Sequence, residues 1–464
     1  MRLASAFCAL ALFSSACSDS QSESKSGVRH IVYWEKWTDF EGEAMDRVVD
    51  SFNRQEREHA KADPSYRPIE VEKVTISSIE QKLLIASAGG NPPDVAGIYS
   101  YMTAGYADKG ALTDLTELAK RDGIDRSQYI GRYYDLDVHR GKLWALPTAP
   151  AAVGLHWNKR LFREAGLDPE KPPETLEELD AMAEKLTKWE VTLPSGEKVV
   201  KTGYLPEVPA SQKRLLQAGF LPMEPNWWSY GWGFEFGGKL IDHGRVTANS
   251  PENIQAYEWV ASYTRKLGVD SVQRFRSGFG SFGSAQNPFL SGKLAMENQG
   301  VWMYNFIKKF ADGMLWGAAP FPPPAAHPER RGTANAECDA LAIPTASKHP
   351  EEAWTFIKYT QRQDVMEQLC LGQRKHTPLA QVSEEFYAKH PNPNIRLFRE
   401  LGASPNAWSA AKTGVWYEYG REMTSAADKI SNLTLTPTEA LNQVQQRMEI
   451  SYERDEAIYR RRNP

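Results

Sequence analysis

The sequence predicts an α/β protein of two lobes, each a mostly parallel sheet flanked by helices. Three observations carry that prediction. At 464 residues the chain is too long for one ordinary hydrophobic core. From His30 to Tyr99, strand-length apolar runs alternate with helical apolar periodicity, and crossovers of that length join parallel strands. Residues 141–179 then supply a complete run of local structures: strand, crossing, strand, helix, loop, helix.

Each element has a local reason. His30–Trp34 is an apolar strand that runs into a loop carrying Trp37 and Asp39. Met45, Val48, Val49 and Phe52 recur at i, i+3, i+4, i+7 and mark one helix face. Ile69–Thr75 alternates as a second strand, and Ile79, Leu83 and Ala86 form a helix that stops at Gly89-Gly90. Asn91-Pro92-Pro93-Asp94 turns into a third strand, Val95–Tyr99. Leu143–Pro147 and Ala152–Trp157 read as two short buried strands separated by a crossing. Asn158 caps a helix whose apolar face is Leu161, Phe162 and Ala165, and Gly166 is its left-handed stop. Thr175 to Glu178 has capping-box spacing ahead of a helix with Leu176, Leu179, Ala183 and Leu186 on one face. A hairpin is expected around Pro194-Ser195-Gly196, whereas 226–238 is rich in Trp and Gly without periodicity. Ser250 caps and Pro251 opens a helix carrying Ala256, Val260, Tyr263 and Leu267. Leu341–Pro344 is a short strand before a helix that starts at Pro350, and the tail from Thr436 is helical.

Composition bounds the function. The chain is 41% hydrophobic and 25% charged with a net charge of -4, which is no footprint for nucleic acid. Met1–Ala16 has the pattern of an export signal: Arg2, then the apolar stretch Leu3–Phe13, too short to span a bilayer. Ser14-Ser15-Ala16-Cys17 resembles a lipobox, in which a diacylated Cys17 becomes the mature N-terminus and holds the protein at a membrane. Cleavage nearby, giving an ordinary secreted protein, is the alternative. Residues 17–27 suit a flexible tether with a reach of about 17 Å. Cys338 and Cys370 either pair in an oxidising compartment or stay as buried thiols. No CxxC, HExxH or His pair at ligand spacing occurs, so neither a metal nor another cofactor is expected.

Four landmarks in order carry a family resemblance. They are Ala88-Gly89-Gly90-Asn91-Pro92-Pro93-Asp94-Val95, the 141–179 segment with Asn158-Lys159 and Leu161-Phe162, Gly292–Met296 followed by Gly300-Val301-Trp302, and Ala340–Ile343 with Ser347–Trp354. The chain resembles bacterial extracellular solute-binding protein family 1, the sugar-type receptors of ABC importers. That resemblance implies a periplasmic-binding-protein fold with three interlobe crossings, placed near 147–151, 317–322 and 361–374. Lobe 1 is then 28–148 plus 318–361, and lobe 2 is 149–317 plus 362–464. It also implies a monomeric, exported, lipid-anchored receptor that catalyses nothing. Such a receptor binds a mono- or oligosaccharide in the cleft and passes it to permease subunits in the membrane.

Ligands of open α/β sheets sit beyond the carboxyl ends of strands. That rule selects Trp37 and Asp39 after the first strand, Tyr99 and Tyr101 after the third, and Thr148 at the crossover. A sugar presents apolar faces and polar edges, so aromatic platforms beside amides and carboxylates suit it. Trp227, Trp228, Tyr230 and Trp232 form one candidate platform, or else a wedge of loops onto a lobe. Trp302 is the first candidate for stacking, with a core anchor as the alternative. Asn335 and Glu337 offer side-chain contacts where the family often has a Gly pair. Arg374 suits a carboxylate, phosphate or hydroxyl, or a contact between lobes. Trp416 and Tyr417 are weaker candidates. Two other functions compete: a receptor for glycerol phosphate or a polyamine, and a secreted glycosidase using carboxylates such as Glu35, Glu41 and Asp39.

Overall fold

The computed structural model describes residues 27–462. The export signal 1–16, Cys17 and the tether up to residue 26 lie outside the described residues. One 8-stranded sheet organises the molecule. Its strands are β1 (Arg29–Glu35), β2 (Ile69–Thr75), β3 (Val95–Tyr99), β4 (Ala145–Asn158), β5 (Met296–Gly300), β6 (Trp316–Ala319), β7 (Ala334–Ala342) and β8 (Ala407–Trp408). The order is β5-β4-β7-β3-β1-β2, with β6 on β4 and β8 on β7. Pairing is parallel at β1–β2, β1–β3 and β7–β8, as strand–helix–strand crossovers demand. It is antiparallel where β7 meets β3 and β4, and where β5 and β6 meet β4, because these strands return from the other lobe.

The expected break at 147–151 is corrected by β4, a single strand of 14 residues. Its first part, up to Ala152, pairs with β7, and from Val153 onward it pairs with β5 and then β6. The ladder is handed over between adjacent residues, Ala152 opposite Ala336 and Val153 opposite Gly300, so no gap opens. Two cores hang on the two ends. The first unites Ile31, Val71, Val95 and Leu146 with the helix Asp39–Ala62 through Met45, Val48 and Phe52, and with the helix Pro350–Thr360 through Trp354 and Phe356. On the opposite face of the same strands, Ala96, Ile98 and Ala340 pack on Ile79, Leu83 and Tyr106. The second core joins Leu155 and Trp157 to Phe162, Leu179, Tyr257, Val260, Tyr419 and Val444.

Core membership also moves the other two crossings. Phe321 belongs to the second core and Ala334 to the first, so the second crossing lies between them, later than 317–322. Val365, Met366, Leu369, Phe386, Ile395, Phe398 and Leu401 belong to the first core, and Ala410 is the first residue after them in the second. The third crossing therefore follows Leu401 and not Gln361. The helices Gln363–Gln373 and Ile395–Ala403 have apolar faces that either core could accept; packing onto Asp39–Ala62 and β4 decides it.

Local chemistry holds the ends. Asn158 Oδ1 accepts from Arg160 N and Leu161 N, Thr175 Oγ1 from Glu178 N at 3.2 Å, and Ser250 Oγ from Asn253 N at 3.3 Å. The return bond of the capping box goes one residue early, from Glu174 N to Glu178 Oε2 at 2.8 Å. The hairpin at Lys188–Thr192 and Lys198–Thr202 is present. Cys338 and Cys370 are both free and buried. At Gly154, just past the handover, an added Cβ would lie 2.8 Å from the Ala319 carbonyl oxygen and 3.0 Å from Leu401. Gly154→Ala is expected to lower stability by about 1–3 kcal/mol, read as a shifted urea midpoint with unchanged slope.

Candidate functional site

The chain ends of β1 and β3 build one wall. Lys36 and Trp37 leave β1, and both turn toward Asp339, which sits in an irregularity of the β7–β4 ladder between Cys338 and Ala340. The Asp339 carboxylate lies 3.0 Å from Lys36 Nζ and 3.5 Å from Lys375 Nζ, and it accepts from Trp37 Nε1 at 2.9 Å. Lys375 Nζ also meets Glu41 at 3.0 Å. Burial alone would raise the Asp339 pKa, but the two ammonium groups hold it below the usual carboxylate range. Burial works against charge on Lys375 as well, and Glu41 and Asp339 overcome it and raise its pKa. Trp37 meets Tyr99 edge-on at 5.7 Å, Lys36 Nζ lies 4.6 Å from the Tyr99 ring centre, and Tyr101 stacks flat on Tyr99 at 5.1 Å.

The facing wall comes from the other lobe. Trp302 directly follows β5 and a valine, and it packs against residues of the first core and against Val153, Trp228 and Trp408. Trp227 and Trp228 lie 6.1 and 6.0 Å from it, and Trp227, 50% exposed, also packs on Phe282 at 4.4 Å. Tyr230 is held edge-on by Trp408 and Trp416 at 5.7 and 5.2 Å. Tyr101 reaches across from the first wall. With Trp227, Tyr230, Trp416, Tyr417 and Arg421 it lines a cavity of about 490 Å³. Among the described residues Arg421 has no ion pair; its guanidinium lies 5.9 Å from the Tyr417 ring centre.

Asn335 and Glu337 sit on β7. Glu337 Oε1 accepts from Ala410 N at 2.7 Å, while its Oε2 is buried without a partner. Burial lifts the Glu337 pKa to about 7, against the pull of the Ala410 amide and of Arg132. Trp302 Nε1 and Asn305 Nδ2 are likewise buried without partners. Polar atoms of this kind cost free energy unless something pairs with them.

Ring contacts join Trp37, Tyr99 and Tyr101, and Tyr101 shares the cavity lining with Trp227 and Tyr230, while Trp228 and Trp302 pack beside Trp227; Asn335 and Glu337 lie on β7 and do not line that cavity. Four residues fall elsewhere. Trp232 is corrected to a core residue, edge-on to Phe220 and Trp259, because its turn points it into the second core. Thr148 is buried inside β4. Asp39 starts the first helix at φ +48, exposed and outside the ion-pair network. Arg374 links lobes: Nη1 donates to Asn305 Oδ1 at 3.2 Å, and the guanidinium lies 5.1 Å from the Phe40 ring centre. Lys36, Asp339, Lys375, Trp408 and Arg421 were not legible as site residues. Trp416 and Tyr417 carried a local signal, two adjacent rings at a helix start. Among the described residues no cluster of His, Cys, Asp or Glu could hold a metal ion.

A family model for bacterial extracellular solute-binding proteins matches residues 48–392, most of the chain. The chain belongs to that family. No helix among the described residues is long and apolar enough to cross a membrane. Curated relatives of this solute-binding protein include the sn-glycerol-3-phosphate-binding periplasmic protein UgpB of Salmonella typhimurium (strain LT2), 31% identical over 166 residues, and that of Escherichia coli (strain K12), 30% identical over 167 residues. Each match covers 34% of this chain and 36% of the relative, so only about a third of their length is shared. Among solved structures, CpMnBP1 with mannobiose bound has a TM-score of 0.72 at 25% identity, covering 90% of this chain and 98% of that one. The sugar-binding protein MalE from Xanthomonas citri has a TM-score of 0.68 at 18% identity, covering 93% and 98%, and supports the two-lobe fold alone.

Two predictions test the site's electrostatics. Asp339→Ala leaves two buried ammonium groups short of a partner, and is expected to cost about 3–5 kcal/mol in urea unfolding. Glu337 keeps its proton in the folded state up to about pH 7, whereas the unfolded chain releases it above about 4.5. Folding therefore binds the proton more tightly, and stability is greatest at the acid end and falls as pH rises through that window. Asp137, Glu235 and Glu297, raised by burial to about 7, 8 and 8, add to the same slope. Melting curves of Glu337→Gln from pH 5 to 8 are expected to lose part of the wild-type decline between pH 5 and 7, and none of it above.

Proposed function

We propose that this protein is the substrate-binding component of an ABC importer and that it holds a carbohydrate between its lobes. The single observation that carries the reading is the make-up of the cleft. Aromatic faces from both lobes, Tyr101 on one side and Trp227 and Tyr230 on the other, line a cavity together with Arg421, Thr424, Ser425 and Asp428, and Trp302 packs against Trp227. A sugar's apolar faces suit the rings, and its hydroxyls suit the guanidinium, hydroxyl and carboxylate groups of Arg421, Thr424, Ser425 and Asp428. The likeness to CpMnBP1 with mannobiose bound supports the same class. Binding without turnover fits the carboxylates. Glu35 is tied to the Tyr33 hydroxyl and Glu41 to Lys375, so neither is free to act as half of a hydrolytic pair. The receptor works as a monomer, tethered to a membrane through lipid on Cys17, and delivers its ligand to permease subunits.

A second reading has one specific support. Arg421 lines the cavity with no ion pair, and the relatives named for sn-glycerol 3-phosphate share a third of the chain, so a sugar phosphate or glycerol phosphate would find a cation there. A thermal-shift and tryptophan-fluorescence panel of disaccharides, sugar phosphates, polyols and sn-glycerol 3-phosphate separates the two. Response to neutral disaccharides is expected. A response to phosphorylated compounds alone would replace the first reading by the second, and hydrolysis of a hit over hours would overturn both. Trp302→Ala is expected to weaken sugar binding by about ten- to a hundredfold, read by titration calorimetry, without loss of the folded far-UV spectrum.

A further inference from the structure

The interlobe cavity does not end at Tyr101. A second cavity of about 140 Å³ begins behind the same rings, and Tyr101, Trp416 and Tyr417 line both. The rest of its wall exposes mostly apolar surface, with Leu84 from the helix Ile79–Ala88, Met102 and Tyr106 beside Glu80, Gln81, Lys109 and Thr413. Tyr106 spends its hydroxyl on the Glu80 carbonyl at 2.9 Å and presents only its ring. The two cavities differ in what they offer a ligand. Arg421, Thr424, Ser425 and Asp428 line the first, whereas the surface facing the second is mostly apolar. A sugar ring placed there would leave most of its hydroxyls against apolar surface, and an apolar group has none to leave.

Size narrows the class. An apolar cavity of about 150 Å³ holds one benzene. Tyr417, 57% exposed, contributes to both cavities, and a group joined to a sugar in the first would pass along it and Tyr101 into the second. Leu84, Met102 and Tyr106 pack with the first lobe and Trp416 with the second, so that group would also touch both lobes.

We infer that the second cavity is an aglycone subsite, and that this receptor takes a carbohydrate bearing a single aryl or short alkyl group at one end. The inference rests on the carbohydrate reading above. Titration calorimetry of the full-length protein with mannobiose, maltose and cellobiose, each beside its phenyl glycoside, tests it. At least one phenyl glycoside is expected to bind about tenfold more tightly than its parent sugar. Leu84→Asp puts a carboxylate in the apolar wall, and Gln81→Trp fills the cavity from an exposed position that folding does not depend on. Both are expected to reduce the glycoside's affinity to that of the parent sugar while the parent's own affinity stays unchanged. Equal binding of sugar and glycoside by the wild type would overturn the subsite and leave the receptor reading standing. An advantage that survives both substitutions would overturn its location. Binding of no sugar and no glycoside would overturn the carbohydrate reading together with the subsite.

Discussion

Asp339 is the group on which the cleft's first wall is assembled. Its carboxylate is buried in the sheet, yet two ammonium groups and an indole N–H converge on it from segments hundreds of residues apart. Desolvating these charges is expensive, and the mutual pairing of Lys36, Lys375, Glu41 and Asp339 offsets it. That pairing has a geometric product. Trp37 is pinned by its nitrogen, Tyr99 is pinned between Trp37 and Lys36, and Tyr101 lies flat on Tyr99. A ring that must face a ligand is thus positioned at the end of a chain of contacts that starts from a salt bridge. The irregularity in β7 is what lets the carboxylate be there, since Asp339 has no partner on β4.

Tyr101 and Trp302 occupy equivalent roles on opposite sides. Each follows a short strand, and each packs against residues of more than one core. Their orientation therefore depends on how the lobes are set, and a ligand that contacts both favours one setting over others. Arg374 adds a direct tie, from the end of a first-lobe helix to Asn305 in the other lobe.

Much of this was legible in local sequence, and the exceptions have physical causes. The strands β1, β2 and β3 and the caps at Asn158, Thr175 and Ser250 were readable because alternation and side-chain capping are properties of a few consecutive residues. Pro147 and Pro150 made β4 look broken; they are tolerated because strand continuity needs only the remaining ladder bonds. The alanine-rich β7 has low strand propensity, and only its burial between β4 and β3 makes it one. Trp228 and Trp232 lie four residues apart, but one packs against Trp227 and Trp302 and the other into the second core, a difference set by a single turn of chain. The third crossing was misplaced because core membership is not local. Lys36, Asp339 and Lys375 carried no signal for the same reason, since nothing at any one of them announces the other two.

The unbroken strand β4 has a mechanical meaning for such a receptor. Where lobes are joined by loops, opening is a bend and its extent is limited by slack. Here the lobes also share a ladder whose partners change between Ala152 and Val153, so relative motion that bends the two other crossings twists this ribbon as well. A twisted ribbon resists in proportion to angle and returns when released. The hinge then behaves as a torsion spring, and a bound ligand holds it at one angle with energy taken from its own contacts.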